Sequence, residues 1–349
     1  MWDKAEDFAM RLTAILESTD DGSDLQNDLR HLYETAAREI IDDEIQDLEV
    51  GLSDRRSEEA ALHIRLRERW GTALDLYELL LDRCWRIGSG ANKNYRNLAA
   101  KRQDHRFEAL IRLHGKAVLT SSEILALLST GHSIGAFARW RTLHETDVLT
   151  AFLYENSDEI AYRYLRHEDA QTLKMRNAYD RYHSELGYEP NDPAADGDPE
   201  ELRDALVKQF GTAFLKRNGW AEPVFGRVPN DSDIETSVEL DHYRPHYYLA
   251  SDGIHPTPKG LKAELQQTGS VPIIMAGPSM GGLSEAGHSA ALSLVRCTVT
   301  VTNYCGLHLS DDPGISEHAS SVLAMHSILE LSERIGQAFS AAHDRLDDG

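Results

Sequence analysis

Apolar residues recur three and four positions apart along almost the whole chain, the spacing that lines one face of an α-helix. Leu12, Ile15 and Leu16 line an opening helix whose polar exit runs from Ser18 to Asp24. Leu29, Leu32, Ala36, Ile40 and Ile41 carry the pattern on. From Ser57 to Ile87 it continues through Leu62, Ile64, Trp70, Leu74, Tyr77 and Leu80. Gly88-Ser89-Gly90 predicts the end of that helix, as a glycine-rich C-terminal cap does. Further helices are predicted over 92–128, interrupted at Gly115, over 132–155, and from Asp158 to Ser184.

Residues 187–199, GYEPNDPAADGDP, are dense in Pro, Gly and Asp and predict a solvent loop. Helix resumes near Glu200, and a second irregular stretch over 219–232 holds Pro223, Gly226 and Pro229. A helix over 243–254, a short one after Pro258, a loop from Gly269 to Gly282, and long helices over 284–309 and 314–345 complete the pattern. Val271–Ile274 and Thr298–Thr302 are β-prone, the second inside a helical register. The expected fold is all-α: a multi-helix bundle over residues 91–349, preceded by an N-terminal helical extension over 1–90.

The hydrophobic share, 41% of 349 residues, is enough to bury a core. The net charge of -22 sets a field that repels phosphate backbones and excludes broad nucleic-acid binding. It favours basic proteins, cations or further copies of the chain as partners, and the long amphipathic N-terminal helices point to a homodimer. Cys84, Cys297 and Cys305 form no CxxC pair and suit reduced thiols. With no signal-like N-terminus and no apolar stretch of roughly 18 residues, a cytoplasmic location without membrane association is expected.

Gly277-Pro278-Ser279-Met280-Gly281 has the G-x-S-x-G form of a nucleophile elbow, but that turn needs a strand inside a parallel sheet, which the pattern does not predict. His242 and His246 stand four apart, yet Pro245 between them reads as a helix start. No metal and no cofactor are expected. Two polar couples are more informative. Arg141 and Glu145 interrupt the apolar run 134–152, and Ser251 and His255 stand four apart before Pro256-Thr257-Pro258. A buried Arg requires a carboxylate, and serine and histidine at this spacing can share a hydrogen bond facing that pair. Such a cluster either fixes helix register or forms an anion-binding pocket.

The stretch GHSIGAFARWRTLHETDVLTAFLYE (131–155) resembles the Arg-x-x-x-Glu helix of the domain of unknown function 5677 family. HYYLASDGIHPTPKGL (246–261) is similar to that family's Tyr…Ser-x-x-x-His-Pro segment. The resemblance covers residues 105–310 and implies an α-helical domain without an established reaction. It places Arg141, Glu145, Ser251 and His255 at the matching positions, with Tyr247 or Tyr248 beside them. A second similarity, to HEPN-type helical ribonucleases, rests on Arg139 and His144, with Trp140 where that signature carries a polar residue. It implies metal-independent acid–base cleavage of RNA.

The leading expectation is a helical ligand- or partner-binding module of a bacterial stress or phage-defence system. Its pocket would hold Arg141, Glu145, Ser251, His255 and Tyr248, and its ligand would be a protein partner, an RNA or a nucleotide. The alternatives are a HEPN-like ribonuclease using Arg139 and His144, or Arg141 and His255, and a helical scaffold without a site. What separates the first two from the third is whether the polar residues line a cavity or are sealed in the core.

Overall fold

Helix dominates the computed structural model, which describes residues 2–18, 22–191, 197–263, 265–268, 271–274, 277–310 and 315–345. Two compact units divide the chain, Met1–Ile64 and Arg65–Gly349. The first contains α1 (Trp2–Ser18), α2 (Gly22–Gln46) and the start of α3 (Leu48–Arg102). The ring of Phe8 lies 5.0 Å from that of Tyr33, and Arg11 bridges Asp7 and Glu39 at 2.6 and 3.2 Å. Among the described residues of this unit only Leu32 is a buried apolar side chain.

The second unit holds the rest of α3, then α4 (His105–Ser129), α5 (Ser133–Glu155), α6 (Asp158–Tyr182) and α7 (Pro199–Phe210). Short helices α8 (Glu222–Phe225), α9 (Asp231–Ser237), α10 (Arg244–Asp252) and α11 (Pro258–Ala263) follow, then α12 (Leu283–Tyr304) and α13 (Ile315–Asp344). α5 packs between α4 and α12, with Trp140, Leu143, Phe152, Leu110 and Leu294 in the core. Side-chain caps set the starts: Asp104 accepts from the Phe107 N–H at 2.8 Å to open α4, and Asn230 and Asp233 form a capping box on α9.

Helix α3 does not stop at Gly88-Ser89-Gly90 but runs on to Arg102, and the two compact units part at Ile64/Arg65 instead. The physical reason is packing. The His114 ring of α4 lies against the bare backbone of Gly88, where an added Cβ would overlap it. The break before α4 comes at Gln103, with φ 53°, and Asp104, not at Gly115, which stays helical. Val271–Ile274 is a strand, paired antiparallel with Leu265–Thr268. Thr298–Thr302 belongs to α12, where Thr298 and Thr302 each donate to the carbonyl four residues back at 2.8 Å.

That antiparallel hairpin precedes the Gly277–Gly281 loop, so Ser279 stands on no nucleophile elbow; its N–H donates to the Gly131 carbonyl at 2.9 Å. Among the described residues no helix is long and apolar enough to cross a membrane.

Candidate functional site

Trp140, Leu143, His144 and Asp147 follow one helical face of α5 into the core, so two of four inward positions are polar. Burial of such groups is costly unless each is paired. Asp147 is paired with Arg296 of α12, at 2.7 Å to Nε and 2.5 Å to Nη2. Arg296 also donates to the Tyr243 hydroxyl at 2.9 Å and lies over that ring. Burial pushes the Asp147 carboxyl above its ordinary range, and Arg296 works against that rise.

His144 is 1% exposed, and its Nε2 meets the buried Glu235 of α9 at 2.8 Å. The second oxygen of Glu235 accepts from Arg244 at the start of α10. Burial would lower the Arg244 guanidinium, but the Glu235 carboxylate, with the Tyr248 hydroxyl, outweighs it and holds it above its usual value. Glu235 thus ties three helices together. His144 Nδ1 and Arg244 Nε are buried without a partner among the described residues.

One step round α5, Arg141 donates to Glu145 at 3.2 Å and to Ser251 at 3.4 Å. Its guanidinium stacks 4.5 Å from the centre of the Tyr247 ring, and the Tyr247 hydroxyl donates to Glu145 at 2.7 Å. Burial first, and the Glu145 carboxylate second, push the Tyr247 hydroxyl up to about 12. This group is half-buried, not sealed: the Arg141 and Glu145 side chains keep 25% and 41% of their exposure.

The two groups face one cavity of about 440 Å³, bounded by α5, α6, α9 and α10. His144 and Glu145 lie on one side of it, Glu235, Arg244 and Tyr247 on another, and Tyr164 and Trp220 supply aromatic walls.

Several expected residues stand elsewhere. His255 is exposed beyond the end of α10, with its N–H on the Ser251 carbonyl at 3.1 Å. Its ring bonds to no described residue, because the helix ends at Asp252 and takes position 255 off the Ser251 face. Tyr248 is 57% exposed and interacts with Arg244, and Tyr247 takes the place beside Arg141 and Glu145. Arg139 pairs with Glu123 of α4 while His144 turns to Glu235. Five residues along a helix is a turn of about 140°, so these two side chains leave α5 on different faces. Arg139 and His144 thus engage separate partners. His242 contacts the Glu239 carbonyl and His246 contacts Glu285, so they share no site.

Residues 107–270 match the family of unknown function DUF5677. The DUF5677 segment contains every residue that lines the cavity. No curated protein and no solved structure is significantly similar to the chain.

Glu235, Arg244 and the Asp147–Arg296 pair went unnoticed in the sequence. Asp147 carried a signal, since it lies three and four residues from His144 and Leu143 on the apolar face. Glu235 carried none, because α9 is too short to show a period.

Proposed function

We propose that this protein is a helical ligand-binding module whose pocket is the cavity between α5, α6, α9 and α10. The observation that carries the reading is that both polar groups, His144–Glu235–Arg244 and Glu145–Tyr247, border one cavity of about 440 Å³. That volume suits a small organic ligand. A network kept only to set helix register is closed by packing, whereas Glu145 keeps 41% of its side-chain exposure.

The division of labour follows from the chemistry. Arg141 and Tyr247 hold the Glu145 carboxylate in place, leaving it acceptor capacity toward the cavity. Arg244 fixes the Glu235 carboxylate in place, and Glu235 orients the His144 ring. Tyr164, half-buried and backed by the buried Trp220, offers apolar ring area at the cavity wall.

The test is a screen of small polar heteroaromatic compounds by isothermal titration calorimetry, followed by titration of Glu145→Gln and Tyr247→Phe. A compound that binds the wild type and loses at least about tenfold in Glu145→Gln, with the melting temperature preserved, is the expected result. Absence of any binder, or binders indifferent to both substitutions, would refute the pocket.

A further inference from the structure

A second cavity of about 410 Å³ borders the first, and the two have Tyr164, Gln171 and Trp220 in common. Gln171 is exposed, so the passage from one to the other runs along the protein surface. The two ends differ in charge. The inner cavity carries three carboxylates, Glu145, Asp231 and Glu235, and both of its arginines are already engaged: Arg217 on Asp231 at 2.8 Å, Arg244 on Glu235. The outer cavity carries Arg112 and Lys116, one turn apart on α4, against the single carboxylate of Glu168. Arg112 gives its Nε to Glu108 at 2.6 Å, and Lys116 pairs with no described residue.

Unspent hydrogen-bonding groups mark the inner end and the junction. The Tyr164 hydroxyl and the Gln171 amide bond to no described residue, and burial pushes the Tyr164 hydroxyl up. Asn218 gives both its donor bonds to Pro229 and Asp231 and keeps its amide oxygen free. At the inner end, His144 Nδ1 and Arg244 Nε are buried and unpartnered. Buried polar groups left unsatisfied call for a partner.

A phosphate is repelled by the inner carboxylates and drawn to Arg112 and Lys116. A flat ring has the opposite preference: it packs against the Tyr164 ring, where carboxylate and amide oxygens accept from its edge N–H groups. We propose, on the reading that the inner cavity is a binding pocket, that the two cavities form one site for a nucleoside monophosphate. The base lies inward against Tyr164, and the phosphate lies outward on Arg112 and Lys116.

Calorimetric titration of the full chain with AMP, CMP, GMP and UMP, each beside its nucleoside, tests this. At least one nucleotide binds, and its nucleoside binds about tenfold more weakly for want of the charge-assisted contacts. Lys116→Ala, an exposed position that spares the fold, shrinks the advantage of that nucleotide over its nucleoside several-fold and leaves the nucleoside unchanged. Gln171→Ala weakens both. Equal affinity of nucleotide and nucleoside in the wild type, or a phosphate increment that Lys116→Ala leaves undiminished, overturns the proposal. If heteroaromatic compounds of the screen bind and none of the four nucleotides does, the nucleotide assignment falls and the pocket stands. If nothing binds at all, both fall.

Discussion

Arg141 and Arg296 both face a carboxylate, yet their surroundings give the two pairs different weights. Arg141 and Glu145 keep 25% and 41% of their exposure, so water screens the attraction and the pair is worth about 1 kcal/mol. Asp147 is 3% exposed, and Arg296 is the charge that compensates it. Removing the cation leaves a buried carboxylate alone, at a cost of about 3–5 kcal/mol. Urea unfolding at pH 7 is therefore expected to show Arg296→Met losing several times more stability than Arg141→Ala; equal losses would contradict this ranking. The pH dependence has a definite sign. Burial already raises the Asp147 carboxyl above its unfolded value, and loss of Arg296 removes the chief opposition to that rise. A raised carboxyl favours the folded state below its unfolded pKa and loses that advantage as pH rises through the folded one. Arg296→Met should recover part of its deficit between pH 7 and pH 5, a recovery that Arg141→Ala should lack.

Among the elements, the glycines of α3 show why helix ends were harder to read than helices. Gly88 and Gly90 look alike in sequence, and alanine is the better helix former at either position by about 1 kcal/mol. Their surroundings differ. A Cβ at Gly88 would overlap the His114 ring, whose Nε2 is held by Thr298 at 3.0 Å, whereas a Cβ at Gly90 meets nothing within 4 Å. Overpacking costs about 1–3 kcal/mol and outweighs the propensity gain at Gly88. Thermal melting should show Gly88→Ala destabilised and Gly90→Ala unchanged or stabilised; a stabilised Gly88→Ala would mean that His114 moves aside freely. The same logic explains α4. Gly115 has open space around it and is tolerated mid-helix, while the true boundary is set by Asp104, an N-cap whose only sequence mark is an acidic residue ahead of an apolar run. Where the 3.6-residue period was long and unbroken, as over 132–155, expectation and structure agree to a residue, with α5 spanning Ser133–Glu155.

For the whole molecule, the distribution of the core predicts how the chain responds to shortening. Leu32 is the one buried apolar side chain among the described residues of Met1–Ile64, and the rest of the core lies in Arg65–Gly349. A fragment beginning at Arg65 should keep a helical circular-dichroism spectrum and a cooperative melt within about 4 °C of the full chain, equivalent to a loss of about 1 kcal/mol. A fragment that melts broadly or aggregates would show that the first unit supports the second. The sequence by itself determined the all-α class and the long helices, because periodicity is local and every turn of an amphipathic helix repeats the signal. It also placed Arg141 beside Glu145, since couples four apart on a helix share a face, while the contact with Ser251 of α10 came only with the fold. Only the tertiary structure decided that His144 turns to Glu235, ninety-one residues away, that Asp147 is neutralised by Arg296, and that Tyr247, not Tyr248 or His255, completes the Arg141 group. Those partners meet across helices whose packing no local spacing encodes, and the cavity they border exists only once α5, α6, α9 and α10 are in place.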